Sequence, residues 1–267
     1  RMRFEVIRRD GEIAYWQKLA EGGDKHELLK KLEQFNQELV EEFAFVAACN
    51  VGGEFLADEA VERLQSIGER TWQRYFDDRL GVSWEERKRQ ERIDAQDLPV
   101  MESLLDDKEE HLITRSEADR IEAENPWGFK LEEPQFLYNR GELYNLSVKR
   151  GTLSNEERYK INDHIVQTIK MLETLPFPDH LQAVPEIAGG HHETMTGTGY
   201  PRQLNGEQMS IRARVMVIAD VFEALTASGR PYKKAKKLSE AIAIMGSMHQ
   251  NGHFDSDLFR LFLTSGI

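Results

Sequence analysis

One segment leaves this chain little freedom of fold. From about Ser210 to Ala227, the residues Ile211, Val215, Ile218, Phe222 and Leu225 recur at three- to four-residue spacing and form one apolar face. Ala213, Met216, Val217, Ala219 and Ala224 cover much of the remaining surface. A helix that is apolar almost all round is normally buried at the centre of a domain. Asp220 sits in the middle of it, opposite the main stripe. An unpaired carboxylate there would cost several kcal/mol, so it needs a metal, a cation such as Arg214, or several hydrogen-bond donors.

The same helical period marks other parts of the chain. Asp24, with Glu27 three residues on, opens a long helix in capping-box style, and Leu28, Leu32, Phe35, Leu39, Phe43 and Val46 form its apolar face. That face suits either a core helix or a signalling helix that pairs with its copy in a dimer. Gly52 and Gly53 end it, and a second helix is expected from Ala57 to Leu80. Ser83-Trp84-Glu85-Glu86 reads as a further capped start, and the charged run from Glu91 to Asn125 as a solvated connector, His111 included. Ahead of all this, Phe4 and Val6 alternate, Arg9-Asp10-Gly11 turns, and Ile13 and Tyr15 alternate back, which predicts a short β-hairpin.

In the second half, Ser154-Asn-Glu-Glu157 is a capping box for a helix reaching about Leu175. His164 lies on the side of Ile161, Ile165, Ile169 and Leu172, and so is expected near the core. The stretch from Ile187 to Pro201 then sets His191 and His192 side by side, follows them with Glu193, and closes on Gly197, Gly199, Tyr200 and Pro201. Neutral imidazole is the commonest protein metal ligand, and two adjacent histidines reach one ion where the backbone turns. Glycines at 197 and 199 allow positive φ and close backbone approach, and Pro201 fixes the exit. A polar surface loop with an incidental histidine pair is the plainer alternative. Beyond the apolar helix, Arg230 and Lys233 flank Pro231-Tyr232, a bidentate and a point-charge partner for phosphate. Two last helices surround Asn251-Gly-His-Phe-Asp255, with His249 and His253 exposed or capping.

Composition excludes several classes. A net charge of -12 argues against a nucleic-acid polymer as the main partner, while leaving room for a small phosphorylated ligand. Cys49 is the only cysteine, so no disulfide framework exists and a reducing cytoplasm is the simplest compartment. No stretch reads as a membrane span or signal peptide. The chain starts at Arg1 rather than Met, as a C-terminal piece of a longer protein would.

His164, the His191-His192-Glu193 run, Gly199-Tyr200-Pro201, the Ile218 to Thr226 helix and Arg230-Pro-Tyr-Lys233 occur in this order. In that combination, dense from about Gly151 onward, the chain resembles the HD-GYP family of HD-domain phosphohydrolases. The resemblance implies an all-α, HD-domain-like helical bundle, here preceded by the long helix and the hairpin. It also implies a bacterial phosphodiesterase acting on cyclic di-GMP with iron or manganese. His164, His191 and His192 would then ligate one metal and Asp220 a neighbouring one. Gly199, Tyr200 and Pro201 would shape the surface for substrate and a protein partner, and Arg230 and Lys233 would meet phosphate.

The departures are equally specific. The family carries an upstream histidine and an adjacent His-Asp dyad, whereas His26 and His111 are the only histidines before Arg150, and no His-Asp pair occurs there. Thr196 and Gly229 stand where the family usually has Asp. Glu54, Asp58, Asp97 and Glu142 are the candidate replacements for the missing bridging carboxylate. The expected organisation is an upstream-module or linker hairpin over 1–23, a helical N-terminal region over 24–125 and an HD-GYP-like domain over 126–267. Two functions stay open: a degenerate cyclic di-GMP signalling module with one or two ions that binds without hydrolysis, or an active phosphodiesterase with a rebuilt metal site. A homodimer is expected with either, and a third reading is a scaffold in which the helix from Asp24 dimerises and the C-terminal domain transmits a signal.

Overall fold

The computed structural model describes residues 1–122, 124–227 and 236–265, so Gly229, Arg230 and Lys233 lie outside the described residues. The chain is mostly helical, with two small two-stranded sheets. It divides into two compact units, Arg1–Ser116 with Gln135–Glu157, and Glu117–Pro134 with Arg158–Ile267. No helix among the described residues is long and apolar enough to cross a membrane.

The first unit opens with α1 (Met2–Ala20), which corrects the expected hairpin. Its buried residues are Phe4, Ile7 and Tyr15, about one and then two helical turns apart, a period that outweighs the local alternation. Gly11 is no turn residue; it lies inside the helix where α1 meets α2, and a Cβ there would stand 2.6 Å from the Phe35 ring. Helix α2 (Lys25–Val51) begins as expected, with the Asp24 carboxylate accepting from the Glu27 N–H at 2.7 Å. Leu39 of its apolar stripe is buried, and Phe35 and Val46 pack on a core of Phe4, Ile7, Ile67 and Leu104. That stripe is therefore used within the chain. Pairing of α2 with a copy would use its other side, where Val40 and Val51 are exposed.

The helix expected from Ala57 to Leu80 is shorter. It stops as α3 (Asp58–Gly68), and Thr71–Arg74 forms β1, antiparallel to β2 (Val100–Ser103) beyond α4 (Trp84–Gln90). β3 (Leu112–Thr114) pairs with β4 (Phe136–Asn139), followed by α5 (Glu142–Leu146). Part of the run assigned to a connector is thus strand. Its charges are paired across the ladder, Arg74 reaching Glu102 at 3.0 Å. His111 is partly buried, its Nδ1 accepting from the Lys108 N–H.

Helix α6 (Asn155–Glu173) has the expected capping box, Glu157 N–H to Ser154 Oγ at 3.3 Å and Ser154 N–H to Glu157 Oε2 at 2.9 Å. In the second unit its Ile165, Val166 and Ile169 are buried with Phe129. Ile161 and His164 are exposed. The core face is therefore rotated from the expected one, and His164 points away from it. α7 (Val184–Gly189) leads into the histidine loop. Helix α8 (Ile211–Thr226) is buried on one side, through Ala213, Val217 and Ile218, against Met245 and Phe259 of α9 (Leu238–Gln250) and α10 (Ser256–Thr264). Ile211, Val215 and Met216 are exposed, so the expectation of complete burial is corrected: the small Ala213 side chain, not the Ile211-Val215 stripe, lets its neighbours close in.

Asp255 caps α10 by accepting from the Asp257 and Leu258 N–H groups, and it pairs with Arg214 at 3.0 Å. Replacing Asp255 by Ala removes the cap and the ion pair together, so unfolding should be easier by about 1–2 kcal/mol. Denaturant unfolding followed by circular dichroism checks this, and an unchanged midpoint would contradict it.

Candidate metal centre

His191 and His192 follow α7, and the loop after them folds back on their own backbone. Gly199 makes this possible. A Cβ at that position would stand 2.5 Å from both the Glu193 Cα and the His192 carbonyl oxygen, distances that no side chain tolerates. Gly197 takes a positive φ of 75°. The Tyr200 N–H donates to the His192 carbonyl at 3.2 Å. Beneath this turn, Glu193 is fully buried. Its carboxylate accepts from the Arg202 N–H at 2.7 Å and the Leu204 N–H at 2.8 Å. Burial raises its pKa, and these backbone donors oppose the rise.

The three histidines converge. Each of His164, His191 and His192 offers a ligand atom, and these atoms all lie within 4.8 Å of one another. Ring centroids are 4.1 Å apart for His191 and His192, and 5.1 Å for His164 and His192. Among the described residues, no other group of three or more His, Cys, Asp or Glu side chains could hold an ion in this way.

The backbone fixes which nitrogen faces inward. His164 Nδ1 lies 2.5 Å from the Ile161 carbonyl oxygen, and His191 Nδ1 lies 2.6 Å from that of Ala188. A carbonyl only accepts, so both Nδ1 atoms carry the proton and both Nε2 atoms keep a free lone pair. Metal-binding histidines are usually oriented by such an outer hydrogen bond.

Asp220 does not meet Arg214, which is bound to Asp255. Its carboxylate lies 4.0 Å from His192 Nδ1, partly exposed. Burial, then the His191 charge, push the His192 pKa down to about 4, while Asp220 pulls it upward. The His192 imidazole is therefore neutral near pH 7 and able to ligate.

Tyr200 stacks on His192, with centroids 4.7 Å apart. Burial, aided by Asp220, raises its phenol pKa to about 12, so the hydroxyl remains a donor. Gly199 and Pro201 are buried, which leaves Tyr200 as the part of the Gly-Tyr-Pro turn that presents a side chain.

Several neighbours were not expected. His253, read as exposed or capping, is close enough for its charge to disfavour protonation of His192. Gly252 beside it abuts Thr196, whose Cγ2 would lie 2.5 Å from an added Cβ. Thr194, Thr196 and Thr198 bring their hydroxyls within 3.0–3.2 Å of one another, filling with neutral oxygens the place where the family carries Asp. Glu193 follows His192 directly, and what the sequence did not show is its burial beneath the turn; no local spacing ties His253 to the histidines. Of the candidate replacement carboxylates, Glu142 is bound to Arg3 and Asp58 to Lys149.

Comparison with known proteins places the chain in a family. Residues 99–258 match the HD domain family. A 3'3'-cGAMP-specific phosphodiesterase of Vibrio cholerae is 37% identical over 134 residues, covering 49% of this chain and 26% of that protein. A cyclic di-GMP phosphodiesterase of Pseudomonas aeruginosa is 39% identical over 115 residues, 43% of this chain and 27% of that protein. A cyclic di-GMP phosphodiesterase of Thermotoga maritima is 37% identical over 101 residues, 38% of this chain and 27% of that protein. The chain thus spans about a quarter of the length of these relatives.

Two outcomes follow from the geometry. Gly199→Ala should destabilise the chain by about 2–3 kcal/mol and weaken divalent-metal binding, read by thermal unfolding and calorimetry; unaltered metal affinity would contradict the close packing. The second concerns pH. The unfolded chain protonates His192 near pH 6.5, whereas the folded, metal-free chain resists until about pH 4. The contribution of His192 is therefore complete above pH 6.5 and is lost as pH falls through that window, by roughly 2–3 kcal/mol. Denaturant unfolding at pH 7 and pH 4.5 measures the slope, and His192→Gln should flatten it.

Proposed function

Because the chain belongs to the HD domain family and gathers three imidazoles on one point, we propose that it is a cyclic-dinucleotide signalling domain. In this reading it holds one divalent ion, iron or manganese, and binds the phosphodiester of cyclic di-GMP or a related cyclic dinucleotide. The observation that carries it is the convergence of His164, His191 and His192, and the relatives, phosphodiesterases of cyclic di-GMP or 3'3'-cGAMP, supply the ligand class.

The donor set fits such an ion. His164 and His191 are locked in the tautomer that exposes Nε2, and His192 is neutral near pH 7. An ion bound there would supply Lewis acidity toward a phosphoryl oxygen. The remaining work falls to the chain. The Tyr200 hydroxyl is a proton donor for a phosphate oxygen, and its ring, stacked on His192, limits water on that face. Asp220 stands beside His192, where it would serve as ligand to a neighbouring cation. Arg230 and Lys233 would add phosphate contacts.

Binding without turnover is the reading favoured here. Two-metal displacement stabilises both attacking and leaving oxygens with paired cations. The described residues hold one group of three ligands, and Thr196 offers a hydroxyl in place of a carboxylate. Hydrolysis is the second reading, favoured by Asp220 at 4.0 Å from His192 and by the relatives' names.

The test is the purified chain, anaerobic, loaded with iron or manganese, beside a His191→Ala control. Expected are about one ion per chain, saturable binding of cyclic di-GMP with the nucleotide recovered intact, and loss of the ion in the control. Turnover that disappears in the control would replace binding by hydrolysis. Absence of both ion and ligand binding would overturn the proposal.

A further inference from the structure

Within the first unit, a cavity of about 310 Å³ opens at the C-terminal end of α2. One wall is the last turn of that helix, with Ala48 and Cys49; the other is the 145–152 segment. The wall is tied by backbone: the Leu56 N–H donates to the Lys149 carbonyl at 3.0 Å, and the Gly151 N–H to that of Glu54 at 3.1 Å. The Phe45 ring in the lining is held under the Arg63 guanidinium at 4.2 Å.

The chemistry of the lining is distinctive. The chain carries 47 acidic and 35 basic side chains, yet none of the described residues lining this cavity is charged. The other sizeable cavity of the same unit is lined by paired charges such as Arg74, Glu102 and Lys108. Here Phe45, Leu56, Leu146 and Val148 face the space, with Phe55 at the rim 70% exposed. Two polar side chains in the lining, Asn50 and Thr152, are exposed to solvent and available to a ligand. Small-molecule sites are concave and mostly apolar, with a few placed polar groups. A charged ligand would lose hydration there and meet no counter-charge among the lining side chains, the Arg63 guanidinium lying against Phe45 rather than in the lining. The carbonyl end of α2, which carries negative partial charge, disfavours anions in particular.

We propose that this cavity is a binding site for a small uncharged molecule of one or two aromatic rings, packed against Phe45 and Phe55, with a polar atom directed to Asn50 or Thr152. The uncharged lining disfavours a cyclic dinucleotide, so the proposal stands or falls separately from the metal centre.

Cys49, the only cysteine, provides the readout. 2-Naphthol is titrated into the full chain by fluorescence, and modification of Cys49 by a maleimide is timed with and without it. Expected is saturable binding of one molecule per chain, with Cys49 modification slowed about tenfold when the probe stands at ten times its Kd. Ala48→Trp and Val148→Phe, both confirmed folded by circular dichroism, should weaken binding tenfold or more. Phe76→Ser, at an exposed ring elsewhere in the unit, should change nothing, and 2-naphthalenesulfonate should bind at least tenfold more weakly. Should both cavity variants unfold, protection of Cys49 in the unmodified chain decides. Non-saturable binding, an unprotected Cys49, or equal affinity for the sulfonate would each overturn the proposal.

Discussion

The buried Glu193 carboxylate is the interaction on which the metal centre depends. By accepting from the Arg202 and Leu204 N–H groups, it holds the chain after Pro201 against the backbone of the histidine pair. Those N–H groups belong to a loop with no helix or strand of its own to satisfy them, and the carboxylate substitutes for a ladder. A carboxylate with no side chain exposed to water is expensive unless its acceptors are filled, so Glu193 and the turn stabilise each other. Arg202 extends the arrangement, its guanidinium bonding to the Trp127 carbonyl and pairing with Glu173. The Gly-Tyr-Pro turn is therefore chiefly an internal brace, with the Tyr200 ring presented beside His192.

The same economy appears in the placement of the ligands. His164 is carried on a helix whose opposite side is locked into the core through Ile165 and Ile169, and Gly189 lets α7 approach so closely that an added Cβ would stand 2.8 Å from Ile169. The two ligand-bearing elements thus meet through backbone and small residues, which leaves little room for the imidazoles to drift. Preorganisation of this kind matters for an ion, because ligands already held in position lose less freedom on binding. Three imidazoles with fixed tautomers make a compact nitrogen face, while Asp220 stands to one side of it and the threonine cluster brings oxygens without charge.

Much of this was legible from residue order alone. Helix starts at Asp24, Ser83 and Ser154 were readable because a cap is a local event, decided by a side chain and a backbone three residues away. The approach of His164 to His191 and His192 was implied by the family resemblance, not by spacing. Two elements differ from expectation for a common reason: local alternation in Phe4 to Tyr15 and the apolar residues between Ala57 and Leu80 each fit more than one period. Packing chose between them, as Phe35 seated on Gly11 made the first segment helix, and the partner strand at Val100–Ser103 made the second a ladder.

The sequence by itself determined the mostly helical class and the caps, since both follow from residue type and short-range spacing. Only the tertiary structure decided which way His164 points, that Arg214 serves Asp255 instead of Asp220, and that His253 stands near the centre. Those are relations between residues separated by tens of positions, and no local period encodes them. They are fixed by which faces lose water when the helices close on one another.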